Sequence, residues 1–191
     1  MPQDLKFRGE DTTAEVGDNN KIRENVTINR GTAAKGKTCV GSGNLLMESV
    51  HVAHDAFVGN DCIIGNGTKL AGEIIIDDHA IISANVLMHQ FCRVGGYTMV
   101  GGGTRFSQDI PPYTICAREP VAYCGLNLVG LRRRGFSNEL IENIHNAYRI
   151  IYQGGVPLNE ALQKVREEVP ASPEINYIIE FIENSKRGFV H

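Results

Sequence analysis

The chain has 191 residues, 42% of them apolar, and a formal net charge of −3. That length accommodates one domain or one large and one small, and the charge balance leaves no broad basic field for nucleic acid. The five cysteines form no CxxC pair, and no stretch has the length and apolarity of a signal or a membrane span. Neither a zinc ribbon nor a disulfide framework is indicated, and a soluble protein in the reducing cytoplasm is the expectation.

Residues 1–14 are polar and irregular. From Val16 an apolar residue recurs every sixth position: Val16, Ile22, Ile28, Ala34, Val40, Leu46, Val52, Val58, Ile64, Leu70, Ile76, Ile82, Met88, Val94, Val100 and Phe106. At this apolar content a random chain would do so about once in a million tries for a given phase. Two residues earlier the side chain is usually small, as at Ala56, Cys62, Thr68, Ala80, Cys92, Thr98 and Thr104, and a glycine often follows, as at Gly59, Gly65, Gly95 and Gly101. A period of six fits neither a helix nor a simple strand. It fits short strands joined by regular corners, wound as a parallel β-helix. Asp18-Asn19-Asn20, Gly59-Asn60-Asp61, Gly65-Asn66-Gly67 and Asp77-Asp78 suit those corners. Cys62 and Cys92 fall on inward positions, where a thiol acts as a small apolar group.

Residues 29–39, with Arg30-Gly31-Thr32 and Lys35-Gly36-Lys37, keep the phase only through Ala34. They are expected as a loop thrown out from the helix. Asp109-Ile110-Pro111-Pro112-Tyr113 should stop the winding, because paired prolines remove donors and fix φ. After a connecting stretch to about Gly135 the period becomes helical. Ser137 can cap a helix carrying Leu140, Ile141, Ile144, Ala147, Tyr148 and Ile151, ended by Gly154-Gly155. Pro157 can open a second, with Leu158, Leu162, Val165 and Val169, and Ser172-Pro173 a third, with Ile175, Ile178, Ile179 and Ile182. The expected organisation is a β-helix over 1–112 and a connecting stretch with a small helical domain over 113–191.

A triangular coil uses three hexads, so residues eighteen apart stack at roughly the 4.8 Å strand spacing. His54, Gly72 and Gln90 then form one column. A corner histidine is a candidate base, and a glycine one coil away exposes its N–H without a side chain in the way. Base beside oxyanion donor is the arrangement that acyl transfer needs. Asp55 could orient His54, and Gln90 could hold a sugar or amide group. The plain alternative is a solvated edge of polar corner residues. His51-x-x-His54 invites a metal reading, but His51 points outward and lies roughly 10 Å from His54 along an extended chain, far for two ligands of one ion. His79, His145 and His191 are expected to be structural or solvated, and His89 is a candidate ligand contact beside Gln90. Arg132-Arg133-Arg134 is the one basic cluster, either a solvated face or a phosphate site, with Asn127 near it.

These segments together resemble the acyl-[acyl-carrier-protein]–UDP-N-acetylglucosamine O-acyltransferases of lipid A biosynthesis, a family of hexapeptide-repeat enzymes. The resemblance rests on the repeats, Gln3-Asp4-Leu5-Lys6, Arg30-Gly31-Thr32, His51-Val52-Ala53-His54-Asp55, His89-Gln90-Phe91-Cys92, Gln108-Asp109-Ile110-Pro111-Pro112-Tyr113 and Gly130-Leu131-Arg132-Arg133-Arg134-Gly135-Phe136. It covers essentially the whole chain, and the Leu-Arg-Arg-Arg-Gly-Phe stretch is the most specific part. It implies a left-handed parallel β-helix, a homotrimer with active sites between subunits, and a cytoplasmic enzyme without metal, nucleic-acid partner or stable membrane insertion. The implied reaction moves an (R)-3-hydroxyacyl group from the phosphopantetheine of acyl carrier protein to the 3-hydroxyl of UDP-N-acetylglucosamine.

The same resemblance makes His54 the base, Asp55 its support and Gly72 the oxyanion donor. It places Asp4, Lys6, His51, Glu73, His89 and Gln90 along the nucleotide-sugar cleft. Asn127, Arg133 and Arg134 fall near the nucleotide phosphates or the phosphopantetheine, and Gly102 is the acyl-chain ruler. Two departures stand out. Family members carry further coils ahead of Gln3, so a shortened form is expected, and Glu73 replaces a histidine. Asp55 and Glu73, eighteen apart, should stack, making ionisation of the second less favourable. The alternatives are a related hexapeptide N-acyltransferase of the same pathway and a zinc hydratase on the same fold.

Overall fold

From Val40 onward every sixth residue turns inward, and these residues form the core together with those two positions earlier, such as Ala56, Cys62, Ala80 and Cys92. In the computed structural model, which describes residues 1–191, the side chains of Leu46, Val52, Val58, Ile64, Leu70, Ile76, Ile82, Val94 and Val100 are completely buried. Each ends a strand of two residues, too short to hold its conformation alone. Stability comes from stacking: β7 (Phe57–Val58) pairs in parallel with β10 (Ile75–Ile76), and Ile75 and Ile76 oppose Phe57 and Val58. The eighteen-residue offset recurs around the coil and produces three sheets. The first holds, in order, β1 (Thr13–Val16), β4 (Lys37–Val40), β7, β10 and β13 (Arg93–Val94). The second holds β2 (Lys21–Ile22), β5 (Leu45–Leu46), β8 (Ile63–Ile64), β11 (Ile81–Ile82), β14 (Met99–Val100), β16 (Thr114–Ala117) and β17 (Ala122–Leu126). The third holds β3 (Thr27–Ile28), β6 (His51–Val52), β9 (Lys69–Leu70), β12 (Leu87–Met88) and β15 (Arg105–Phe106). This is a parallel β-solenoid of triangular section. The chain turns between sheets through left-handed backbone, with φ near +60° at Asp55, Asp61, Glu73, His79 and Asn85.

One offset differs. Val16 pairs with Val40 and Ile28 with Val52, both twenty-four apart. Six extra residues between β3 (Thr27–Ile28) and β4 (Lys37–Val40) form an outward loop, and Ala34, although in phase, is exposed. The loop is shorter than expected from the sequence, because Lys37, Thr38 and Cys39 already belong to β4. On the first coil Val16 and Ile22 stay 45% and 44% exposed.

Pro111-Pro112 does not stop the winding. Ile110 bridges Val94, Tyr113 takes the left-handed corner conformation, and β16 (Thr114–Ala117) joins the β14 edge with Ile115 opposite Met99. A corner needs no strand N–H, so proline is tolerated there. β17 (Ala122–Leu126) then returns antiparallel to β16. A short α1 (Leu128–Arg133), absent from the sequence expectation, precedes α2 (Asn138–Gln153), α3 (Leu158–Glu168) and α4 (Pro173–Glu183). Ser137 and Ser172 cap α2 and α4 through their hydroxyls, whereas Pro157 sits at the cap of α3 without a side-chain bond.

The helices bury Ile144, Tyr148, Val165, Ile178 and Phe181 in a second core that includes Tyr113 of the solenoid. Tyr177 hydroxyl donates to Asp77 Oδ2 at 2.5 Å and accepts from Gly96 N–H at 2.8 Å, and Arg93 lies over the Phe181 ring at 4.5 Å. Burial raises the Asp77 carboxyl above its usual range, against the lowering effect of Tyr177 and Arg93. No helix is long and apolar enough to cross a membrane.

Candidate active site

His54 and Asp55 form the corner between β6 (His51–Val52) and β7. The left-handed φ of Asp55 turns its carboxylate back under the coil, where the side chain is fully buried. His54 Nδ1–H donates to Asp55 Oδ2 at 2.8 Å, since an ionised carboxylate only accepts. The tautomer is thereby set, and Nε2 is left with a free lone pair. Thr32 completes the carboxylate: its N–H donates to Oδ1 at 2.9 Å and its hydroxyl to Oδ2 at 2.6 Å. Thr38 Oγ1 accepts from the Asp55 N–H at 2.8 Å. Burial would raise the Asp55 carboxyl, but the Thr32 and His54 bonds outweigh it and hold it below its ordinary value. The repulsion expected from Glu73 is not what governs Asp55, because the carboxylate faces the Thr32 loop on the preceding coil.

Gly72 stands one coil beyond His54, as the eighteen-residue count requires. A Cβ there would lie 2.6 Å from His54 Cε1 and 2.7 Å from Nε2, so the imidazole rests directly against the glycine. The N–H at this corner position points out of the coil. At Asp18, Ser42, Asn60 and Gly96 it is taken by Ser42, Asn60, Asp78 and Tyr177 side chains. Gly72 N–H has no acceptor in the protein, which leaves it as a donor beside the free Nε2. Gln90 follows on the next coil, where Phe91 N–H donates to Gly72 O as Glu73 N–H does to His54 O.

A groove of about 590 Å³ runs past this corner along the β3-β6-β9-β12-β15 sheet, lined by Gln3, Thr27, His51, His54, Lys69 and Gly72 among others. His51 Nδ1 lies 2.7 Å from Thr27 Oγ1. Burial first, then Lys69 and His54, depress its basicity, so it is neutral at pH 7. Leu87 and Met88 connect this groove to a second one of about 520 Å³ containing His89, Phe106, Pro120 and Val121. His89 Nδ1–H donates to Gln90 O at 3.0 Å, leaving its Nε2 free. Asp4 and Lys6 line neither groove. Asp4 Oδ1 accepts from the Lys6 N–H at 2.9 Å, and it is Gln3 from that segment that reaches the site.

Asn127, Arg133 and Arg134 occupy a different corner. Asn127 caps α1 through Oδ1 and donates to Tyr97 O at 2.9 Å. Arg133 is exposed, and Arg134 Nη1 donates to His79 Nδ1 at 2.7 Å over the Tyr97 ring. The guanidinium can only donate, so Nδ1 is the acceptor in that contact, and Asp61 lies farther from the same nitrogen, at 3.7 Å. Through His79, Arg134 packs against the corner between β10 and β11 (Ile81–Ile82), not the one between β6 and β7, so one chain does not bring these residues to His54. Gly102 forms a third corner with Asn66 and Ala84 below it, across the groove sheet from Gly72.

Sequence reasoning gave no site role to Thr27, Thr32, Thr38 or Lys69. Lys69 was findable as the stacking neighbour of His51, eighteen residues on. Thr32 was hidden by the irregular offset of its loop. No group of three or more His, Cys, Asp or Glu side chains gathers around one point.

Comparison with known proteins gives a consistent picture. The family model described as UDP N-acetylglucosamine O-acyltransferase, domain 2, matches residues 109–190. The chain is 73% identical to LpxA, a UDP-N-acetylglucosamine acyltransferase from Bacteroides fragilis, with a TM-score of 0.97, covering 100% of this chain and 75% of that one. It is 37% identical to the UDP-N-acetylglucosamine acyltransferase of Francisella novicida, with a TM-score of 0.95 over 99% of this chain and 70% of that one. The Arabidopsis UDP-N-acetylglucosamine acyltransferase is 34% identical with a TM-score of 0.94, over 100% of this chain and 70% of that one.

Proposed function

The chain belongs to the UDP-N-acetylglucosamine O-acyltransferases, the enzymes of the first step of lipid A biosynthesis, and on that premise we propose that it moves an (R)-3-hydroxyacyl group from acyl carrier protein to the sugar 3-hydroxyl with His54 as base. The observation that carries this reading is the contact of the His54 imidazole with Gly72, whose N–H has no acceptor. His54 Nε2 takes the hydroxyl proton while Asp55 stabilises the imidazolium. The sugar oxygen attacks the thioester carbonyl, a C–O bond forms, and the tetrahedral oxyanion accepts a hydrogen bond from Gly72 N–H. Collapse breaks the C–S bond, and the leaving thiolate takes the proton from His54. No step requires a metal or a covalent enzyme intermediate.

In the same reading Asp4, Lys6, His51, Glu73, His89 and Gln90 serve the sugar and nucleotide, with Gln3 and Lys69 added by the groove. Asn127, Arg133 and Arg134 serve the phosphates from a neighbouring subunit of a homotrimer, which is how residues on separate corners come to share one cleft. Gly102 limits the acyl chain at the far edge of the groove sheet. The reaction belongs in the cytoplasm, with acyl carrier protein as donor.

The test is His54→Ala, assayed with acyl carrier protein thioesters and UDP-N-acetylglucosamine. Turnover should fall about 10²- to 10⁴-fold with the oligomer intact. Near-normal turnover would remove His54 from the role of base.

A further inference from the structure

We propose that Thr32 is a positioning residue for the transfer: it fixes both oxygens of the Asp55 carboxylate, and through them the orientation of the His54 ring. The proposal rests on the reading of His54 as base and extends it to the loop ahead of β4.

The loop has no part in winding the solenoid. The next coil closes in eighteen residues, and this one uses six more. The far half of the excursion, residues 33–36, is exposed, yet Thr32 is 4% exposed and Gly31 is buried with it. What the buried part touches is the corner pair. A carboxylate rotates freely about its last torsion, and a single bond from His54 would leave that rotation open. Thr32 closes it, with the N–H on Oδ1 at 2.9 Å and the hydroxyl on Oδ2 at 2.6 Å, the oxygen that also receives His54 Nδ1–H at 2.8 Å. Ala34 N–H donates to Thr32 Oγ1 at 3.2 Å, which occupies the hydroxyl lone pair and aims its proton at Asp55.

The loop is itself braced. Thr12 Oγ1 donates to Gly31 O at 2.7 Å, Gly31 N–H donates to Thr13 O at 2.9 Å, and Gly36 N–H to Thr32 O at 2.7 Å. A side chain at Gly31 would collide with the Lys37 backbone, so the loop passes β4 closely enough to hold Thr32 only with glycine there. Donors held by rigid elements around a reacting pair are what preorganisation requires.

Thr32→Val keeps the shape and the backbone donor but removes the hydroxyl. The expected result is a fall in kcat of about 10- to 100-fold, the worth of one hydrogen bond to a charged group, with KM for UDP-N-acetylglucosamine within about twofold. Thr32→Ser, which restores the hydroxyl, should recover most of the loss, and on a His54→Ala background Thr32→Val should add nothing. Thr32→Ala gives the same readout without a methyl against the carboxylate, should the valine variant not fold. Wild-type kcat in both hydroxyl-free variants, or an equal fold loss with His54 already removed, would overturn the proposal. Full activity in His54→Ala itself would instead overturn the reading on which it rests.

Discussion

A methyl group added at Gly72 would meet His54 Cε1 at 2.6 Å and Nε2 at 2.7 Å. Its backbone conformation is ordinary, so the clash falls on the imidazole and not on the fold. Gly72→Ala should therefore retain its melting temperature and lose about 10²-fold in kcat, the scale expected when a catalytic group is displaced by about an ångström; steady-state kinetics beside a thermal melt check both halves. Titration acts at two residues of this corner. His51 has a lowered pKa, first from burial, and Asp55 a lowered pKa from its hydrogen bonds. A group depressed on folding contributes stability above its unfolded value and loses it as pH falls through the folded one. Unfolding free energy should accordingly decline on acidification, first below about pH 6.5 and again in the carboxylate range. Denaturant titrations of His51→Gln should show the first decline flattened and the second unchanged. The residues legible in the sequence were those on the eighteen-residue count: His54, Gly72 and Gln90. Thr32 was not legible, because its loop adds six residues and places it twenty-three before Asp55, off any column. The same bond explains why stacking Asp55 on Glu73 misjudged the carboxylate.

The corner is the element on which the solenoid depends, and its left-handed residue tolerates some side chains better than others. Asn19, Asn25 and Asn85 hold φ near +57° to +59°, a conformation that asparagine accepts and β-branched residues resist. Asn85→Val should cost about 1–2 kcal/mol in chemical denaturation, while Asn85→Gly should stay near wild type. The contact between solenoid and helices offers a second check. Tyr177→Phe leaves the raised Asp77 carboxylate without its 2.5 Å donor and Gly96 N–H without its acceptor. It should destabilise by about 1.5–3 kcal/mol, read as a lower denaturation midpoint. Periodicity made the coils readable, because from Val40 to Phe106 every sixth residue is both apolar and buried. Capping made α2 and α4 readable, because Ser137 and Ser172 hold the first turns. Two features went against the local signals. Pro111-Pro112 reads as a stop, yet Thr98 and Thr114 hydroxyls both donate to Pro111 O at 2.7 Å and hold it as one more corner. α1 is six residues long, below the length at which a helical period shows.

At the scale of the molecule, the His54–Asp55 pair and the arginines stand on separate edges of the triangle. If a neighbouring subunit joins them, His54→Ala and an Arg133→Ala/Arg134→Ala double variant should each be poorly active alone, yet recover activity when co-assembled. Unchanged activity on mixing would place the whole site within one subunit. The left-handed winding is that of the family; crossover preferences favour the opposite hand, so it came from the resemblance and not from the physics of the repeat. The fixed registry of the coils carries a last consequence. Glu48, Asn66, Ala84 and Gly102 climb one edge eighteen residues apart, and each is smaller than the one before. An extended acyl tail lying along that edge meets a flight of steps and not a continuous wall. Each tread rises roughly 4.8 Å, and an extended chain advances roughly 1.2 Å per bond, so one tread spans about four carbons. A methionine on the Gly102 tread and one on the Ala84 tread should then give preferred acyl lengths about four carbons apart, measurable by product mass across a donor series. Selectivity on such a staircase would shift by whole notches, as pitch does along a fretted string.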